Sequence, residues 1–172
     1  MRAFALVVYL SLGTFALPTI AAVVSAGESG FLVREEVVYP GSPAEAWQRL
    51  VRPQDWWDKK HTYSGDSANL SLSLDPGGCW CEKLSAGGFV RHMDVALVIP
   101  QSELRLRGGL GPLQSMGVQG ALTFVLEPVG VDKTKVTVDY AVGGYAKGGF
   151  VEIARAVDDV LGEQMKLFSA AH

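Results

Sequence analysis

The most constraining feature of this sequence is a change of hydrophobic period near residue 150. From Phe150 to Phe168, apolar residues recur at intervals of three and four, as they do along one side of an amphipathic helix. Before that point, apolar and polar residues alternate in several short segments, which is the period of half-buried strands. A single long helix with one apolar stripe must bury that stripe on one face of the sheet.

Turn residues divide the alternating region into elements. A first strand is predicted over Phe31–Tyr39. Pro40-Gly41-Ser42-Pro43 ends it, and there Ser42 can cap a short helix that Pro43 begins. A second short helix is predicted over Pro53–Asp58. Six further strands are predicted within residues 70–74, 79–84, 89–99, 104–110, 118–126 and 135–142.

The order of these elements predicts the architecture. Consecutive strands joined by short turns form an antiparallel meander. One strand, two short helices, six strands and one long helix therefore predict an α+β fold, with a curved antiparallel sheet of about seven strands around a long C-terminal helix. A strongly curved sheet leaves a gap beneath the helix, and such a gap is where an apolar ligand would lie.

The first 26 residues have the pattern of a secretory signal. Met1 and Arg2 make a short positive start, residues 3–24 carry no charge, and Val24-Ser25-Ala26 has the small residues of a cleavage site. We expect a signal peptide over 1–26 and a single domain over 27–172, periplasmic or secreted, without stable membrane insertion after cleavage. The alternative is a retained anchor, because the apolar run is long enough to span a bilayer.

Charge and motifs exclude several function classes. Charged residues make up 19% of the chain, the net charge is −3, and no Lys/Arg cluster occurs, which argues against a nucleic-acid partner. The glycine-rich stretch 108–112 lacks the Gly-Lys-Ser/Thr of a phosphate loop. Three scattered histidines are a weak metal signal. We expect no metal and no cofactor.

Several short sequence segments, spread over nearly the whole of residues 31–168, carry a resemblance through their order and spacing. Together they resemble the START/birch-pollen-allergen-like (SRPBCC) superfamily. Residues 43–50 look like its first helix and 53–57 like its second. Residues 76–78 with Trp80 and Glu82 resemble the hairpin after its second strand, 95–100 with Leu104 its central hairpin, and 143–144 with 157–161 its C-terminal region.

This resemblance implies a helix-grip fold with an internal cavity. Members of the superfamily bind lipids, sterols, polyketides, hormones or quinone-like molecules, and some are cyclases, dehydratases or co-chaperone domains. The superfamily has no universal catalytic motif to transfer onto this sequence. The resemblance therefore supports the fold more strongly than the function.

Cys79 and Cys81 form a C-x-C pair within a predicted strand. Residues two apart in a strand point to the same face. Their Cα atoms would lie about 6.5–7 Å apart, near the upper limit for a disulfide, so a bridge requires distortion. We therefore favour two small, partly buried thiols beside Trp80, with oxidation or a bridge between two chains left open if the protein is exported.

Three residues are candidates for acid–base chemistry. His92 and Asp94 are predicted to share one face of a long strand, where a carboxylate can orient and charge an imidazole. The alternative is that this face is the solvent side. His61 follows the tryptophan-rich segment, where a helix-grip loop would edge the cavity mouth, and is either a general base, a polar anchor or simply exposed.

Aromatic side chains are the main candidates for ligand contact, because flat rings cover apolar molecules while a polar edge orients them. Core packing is the alternative for each ring. Arg105 and Arg107 face together, either to hold a ligand carboxylate or as solvated outer charges. The candidate ligand-binding residues are Trp56, Trp57, Tyr63, Trp80, Glu82, Tyr140, Tyr145, Val157 and Leu161.

Three functions remain open from the sequence. The first is an exported protein that binds a small hydrophobic or amphipathic ligand. The second is a cyclase-like or dehydratase-like enzyme without a cofactor, using His61, His92 or Asp94. The third is a protein-interaction domain. A dry apolar cavity favours the first, a titratable pair inside the cavity favours the second, and an exposed apolar stripe without a cavity favours the third.

Overall fold

The computed structural model describes residues 20–170, and these form one antiparallel sheet of eight strands with two α-helices. Residues 1–19 of the predicted signal peptide and His172 lie outside the described residues. The strands are β1 (Ile20–Ala26), β2 (Gly30–Tyr39), β3 (Leu70–Leu72), β4 (Cys79–Lys83), β5 (Phe89–Ile99), β6 (Glu103–Arg107), β7 (Gly117–Gly130) and β8 (Lys133–Tyr145), and the helices are α1 (Pro43–Leu50) and α2 (Val151–Ser169).

The strand order in the sheet is β1-β2-β8-β7-β6-β5-β4-β3. Strands β3 to β8 form a meander, and its last strand, β8, pairs with β2. α2 follows β8 and packs on β2. The predicted α+β helix-grip class is confirmed, because one long C-terminal helix lies against one antiparallel sheet.

Two elements differ from the prediction. Residues assigned to the signal peptide form β1, which pairs with β2 so that Val23 faces Val33, and the sheet gains an eighth strand. The predicted helix over 53–58 is only a 3-10 turn at Pro53–Asp55. Trp56 and Trp57 are both buried, which a regular helix disfavours because consecutive side chains diverge by about 100°.

The first helix begins as the sequence predicts. Ser42 caps α1, its backbone N–H donates to Glu45 Oε2 over 2.8 Å, and Pro43 is the first helical residue. Arg49 near the end of α1 donates from Nε to the carbonyl of Phe168 over 2.8 Å. α1 is thereby connected to the last turn of α2, whose carbonyls otherwise lack helical partners.

Aromatic packing holds both ends of α2 against the sheet. At the N-terminal end, the rings of Phe150 and Phe31 lie 5.9 Å apart. At the C-terminal end, Phe168 packs against Tyr39 and Trp56, with ring centroids 5.4 Å away in each case. The middle of α2 therefore has a fixed position over the sheet.

A β-bulge in β5 changes which side chains face inward. Cys81 pairs with Arg91 and Trp80 pairs with Met93, so His92 is the extra residue between them. A bulge bends its strand and re-aims side chains. His92 and Met93 are both buried, whereas Asp94 is exposed. The prediction that His92 and Asp94 share a face is therefore wrong.

Cys79 and Cys81 form a disulfide, so the prediction of free thiols is also wrong. Their Cα atoms are 5.5 Å apart, below the spacing of about 6.5 Å that two residues have in a regular strand. β4 is locally shortened at the position where β5 carries its extra residue. The described part of the chain has no free cysteine.

Within residues 20–170, neither helix combines the length and the apolar character needed to cross a membrane.

Candidate functional site

A cavity of about 510 Å³ lies between the sheet and α2. Its wall combines one side of α2, inward residues of β3, β4, β5 and β8, and the loops around residues 60–63 and 110–116. Most of these side chains are apolar. The lining residues are Trp57, Lys60, His61, Thr62, Tyr63, Leu70, Trp80, His92, Leu110, Gly111, Pro112, Leu113, Met116, Tyr140, Ile153, Ala156, Val157, Val160 and Leu161.

The helix side of the wall explains why the apolar stripe of α2 is wider than its packed face. Ala154, Leu161 and Met165 are buried against the sheet. Ile153 and Val157 are only half-buried because they border the cavity. Apolar side chains that face open space instead of packed neighbours leave surface available for an apolar ligand.

The glycine-rich loop is held at the cavity by Tyr140. The Tyr140 hydroxyl donates to the carbonyl of Gly108 over 3.1 Å and accepts from the N–H of Leu110 over 2.8 Å. Burial raises the pKa of Tyr140 to about 12, although the bond from Leu110 opposes this. The phenol is therefore neutral, and both of its hydrogen-bonding roles are already used by the loop.

The main polar feature of the wall is a buried pair, His92 and Glu82. The two side chains join through Nε2 and Oε2 over 2.9 Å, with exposed fractions of 5% and 0%. Glu82 also accepts hydrogen bonds from the backbone N–H groups of Tyr63, over 3.1 Å, and Ser64. A buried carboxylate is tolerable only with such partners.

The two pKa values of this pair are both lowered. Burial pushes the pKa of Glu82 upward, but the hydrogen bonds from Ser64, Tyr63 and His92 outweigh it and hold the value below the ordinary one. Burial lowers the pKa of His92, although Glu82 opposes this. At neutral pH the pair is therefore a carboxylate and a neutral imidazole that donates from Nε2.

This arrangement determines what the free side of the imidazole can do. With Nε2–H committed to Glu82, Nδ1 carries a lone pair and accepts a hydrogen bond or a proton. Nδ1 is buried and has no protein partner. The pair is the arrangement of a general base oriented by a carboxylate, or of a neutral hydrogen-bond acceptor.

The structure brings many of the sequence candidates together around the cavity. Trp57, Tyr63, Trp80, Tyr140, Val157, Leu161, His61 and His92 all line it. Trp56 lies behind the wall, against Trp57 and Phe168. Glu82 is not part of the wall and lies hydrogen-bonded to His92. Tyr145 is 73% exposed and is not part of the wall.

Asp94 lies on the outer face of β5, where it pairs with Arg91. The His–Asp pair expected from the sequence is thus replaced by His92–Glu82. His61 lies at the wall with Nε2 3.3 Å from Glu163 Oε2. Arg105 is also exposed and pairs with Glu103, which agrees with a solvated outer charge.

Several wall residues were not singled out from the sequence. They are Lys60, Thr62, Leu70, Ile153, Ala156, Val160 and, beyond the glycine-rich stretch 108–112, Leu113 and Met116. Glu82 was singled out, but its role as the partner of His92 was not. The sequence did contain a signal for this role. Glu82 shares its strand face with Trp80, and a carboxylate on an inward face needs a hydrogen-bond partner.

Within residues 20–170, no three His, Cys, Asp or Glu side chains come together in a way that would hold a metal ion.

Comparison with known proteins gives a likeness in fold. No family model and no curated protein sequence matches the chain. Among solved structures, protein MLL2253 from Mesorhizobium loti is 15% identical, with 80% of this chain and 93% of that chain covered and a TM-score of 0.58. CalU16 from Micromonospora echinospora is 14% identical, with 90% of this chain and 88% of CalU16 covered and a TM-score of 0.55.

The di-domain ARO/CYC protein BexL, from the BE-7585A biosynthetic pathway, is 14% identical with a TM-score of 0.57. The match covers 80% of this chain but 45% of BexL. Identities this low carry the fold alone. These neighbours, one of them an ARO/CYC protein by description, share the helix-grip architecture of this chain.

Proposed function

We propose that this protein binds a small hydrophobic or amphipathic molecule, such as a lipid, a polyketide or a quinone-like compound, between the sheet and α2. The observation that carries this proposal is the apolar cavity of about 510 Å³. Ligand sites of about 300–1,000 Å³ with mostly apolar walls and few polar groups are typical of small-molecule binding. An interaction domain would instead present an apolar stripe at its surface.

Native mass spectrometry of the exported protein tests this proposal directly. We expect an added mass that disappears on denaturation and is recovered by solvent extraction, which identifies the ligand class. An empty protein that also fails to bind the apolar dye 1-anilinonaphthalene-8-sulfonate would contradict the proposal.

A cavity-filling variant locates the binding. Val157→Trp places an indole on the cavity side of α2, and Leu167→Trp places the same ring on the exposed side of the same helix. We expect Val157→Trp to weaken dye binding at least about tenfold, equivalent to about 1.4 kcal/mol. Leu167→Trp should bind as the unmodified protein does. Equal binding by both variants would place the dye elsewhere.

The buried pair supports a second candidate, a cyclase-like or dehydratase-like enzyme without a cofactor. A neutral imidazole oriented by Glu82 has a free lone pair at Nδ1, and it can take a proton from a substrate whose binding opens access to this buried atom. The extracted ligand tests this when it is returned to the emptied protein. A mass change of the ligand with the unmodified protein, but not with His92→Phe, supports catalysis, and an unchanged ligand supports carriage.

Export is also a proposal, supported by the signal-like first 26 residues and by the Cys79–Cys81 disulfide, because disulfides persist in oxidising compartments. The intact mass of the exported protein tests it. Cleavage after Ala26 removes β1 and leaves β2 at the sheet edge. A mass that includes residues 20–26 would mean that β1 stays in the mature protein.

A further inference from the structure

Residues 20–26 form β1, although the sequence predicts that the same residues end a signal peptide. β1 pairs with β2 so that Val23 lies opposite Val33 and Ala26 lies opposite Phe31. Val23 and Ala26 pack against the core, and their partners Val33 and Phe31 belong to it, with exposed fractions of 0% and 5%. Removal of β1 would therefore uncover apolar core surface and leave β2 as an unpaired sheet edge.

The turn that joins β1 to β2 also holds the beginning of α2. The carbonyl of Gly27 accepts a hydrogen bond from the N–H of Phe150 over 2.9 Å. Phe150 is the N-cap of α2 and provides no side-chain cap, so the Gly27 carbonyl satisfies one of the N–H groups that the helix leaves unpaired. Ile153 and Val157, which line the cavity, lie in the next two turns of this helix.

Cleavage after Ala26 would disturb this contact through charge as well as through lost packing. The new α-amino group would be on Gly27, the residue whose carbonyl bonds to the start of α2. In its protonated form this amine would place a positive charge beside the positive end of the helix dipole, where cations are unfavourable. The folded domain is therefore better served by a chain that continues through β1.

The sequence contains a second cleavage pattern upstream of β1. Residues 14–16 read Thr-Phe-Ala, with small residues at the first and last positions. Before them, residues 3–12 are uncharged and mostly apolar, which fits the hydrophobic segment of about 7–15 residues in a signal peptide. Cleavage after Ala26 instead involves an uncharged run over residues 3–24, which exceeds that length.

The pairing of β1 also leaves less chain for a membrane anchor. With residues 20–26 in the sheet, the uncharged run before them shortens to residues 3–19. A spanning helix usually takes about 20 apolar residues, and about 17 is the lower limit. The shorter run fits a cleaved signal better than a retained anchor.

We propose that the export signal ends at Ala16, and that the mature protein begins at Leu17 and keeps β1. A signal peptidase hydrolyses the Ala16–Leu17 peptide bond. Water supplies the hydroxyl of the new carboxyl group on Ala16, and the nitrogen of Leu17 becomes a free amine. This inference rests on the proposed export, and it goes beyond the proposed ligand binding because it assigns a processing site.

The intact mass and N-terminal sequence of the chain, expressed with all 172 residues in an exporting bacterial host, test the inference. We expect the exported protein to begin at Leu17. A first residue of Gly27, or any other than Leu17, would overturn the inference and leave export intact. An uncleaved chain in the membrane fraction would overturn it in favour of an anchor, and an uncleaved chain in the cytosol would contradict export and the inference together.

Two matched variants locate the cleaved bond. Thr14→Lys and Val24→Lys each place a long charged side chain two residues before the end of one candidate signal, where a small residue is needed. Val24 is 54% exposed, so the sheet can accept the lysine. We expect loss of the cleaved form with Thr14→Lys and normal cleavage with Val24→Lys. Equal effects, or the reverse pattern, would overturn the inference.

Urea unfolding of the exported protein tests the structural reason. Val23 is half-buried against the core, whereas its neighbour Val24 is exposed. We expect Val23→Lys to lower the urea midpoint relative to Val24→Lys, because only the first buries a charged side chain. Equal midpoints would mean that β1 is not part of the mature fold and would overturn the inference.

Discussion

Glu35 makes the stability of this protein depend on pH in a direction opposite to that of most carboxylates. Its side chain is fully buried between β2 and α2, beside Gly162, and neither carboxyl oxygen has a conventional donor. Burial and the neighbouring Asp158 carboxyl together raise the pKa of Glu35 to about 8, although Lys166 opposes the shift. The carboxyl is therefore protonated at neutral pH.

The size of this effect on the free energy of unfolding follows from the linkage between proton binding and folding. Below the ordinary value of 4.5 the carboxyl is protonated in both states and has no effect. As the pH rises from there, the folded state keeps a proton that the unfolded state has lost, so the free energy of unfolding falls by about 1.4 kcal/mol per pH unit. The fall ends near pH 8, after a total of roughly 5 kcal/mol.

Urea unfolding at pH 5, 6, 7 and 8 measures this effect in the unmodified protein and in Glu35→Gln. The amide has a similar shape and does not titrate, so we expect the downward slope to disappear in the variant. Glu36→Gln is the matched control, because Glu36 is half-exposed on the opposite face of β2. The reasoning is refuted if the curves of the unmodified protein and Glu35→Gln remain parallel from pH 5 to 8.

Phe168→Ala should reduce the free energy of unfolding by about 3–5 kcal/mol because its fully buried ring fills the core, whereas Leu167→Ala, at an exposed position, should change it little; urea titration compares them. Replacing both Cys79 and Cys81 by Ala should cost only about 1.5 kcal/mol, since the disulfide closes a three-residue loop; a much larger loss would mean that it also maintains the bulge. If the loop over 108–116 closes on ligand, its amide hydrogens should exchange more slowly when 1-anilinonaphthalene-8-sulfonate is bound, and unchanged exchange would contradict this.

Much of the fold could be predicted because it depends on local chemistry. The strand over residues 89–99 has the predicted bounds, since its alternation is bounded by turn residues on both sides. The first helix begins at the predicted cap because Ser42, Pro43 and Glu45 satisfy its first N–H groups within four residues of chain. The long closing helix follows from its apolar period.

Part of the site was also accessible from the sequence. Trp57, Trp80 and Tyr140 were named as pocket candidates because flat aromatic rings suit apolar ligands, and all three line the cavity. Tyr145 was placed there wrongly: the inward positions of its strand alternate from Thr134 to Val142, and Tyr145 follows Tyr140 by five residues, on the opposite face, where its ring is exposed. An aromatic side chain does not by itself predict the strand face on which its ring lies.

The sequence by itself determined most of the elements, their order and the α+β class, because periodicity, caps and turns act over a few residues. Only the tertiary structure decided the chemistry of the site. One extra residue in β5 turned His92 inward and left Asp94 outside, so that the partner of His92 came from β4 as Glu82. A shift of one residue moves a side chain to the other face of a sheet, and such shifts are set by pairing between distant segments.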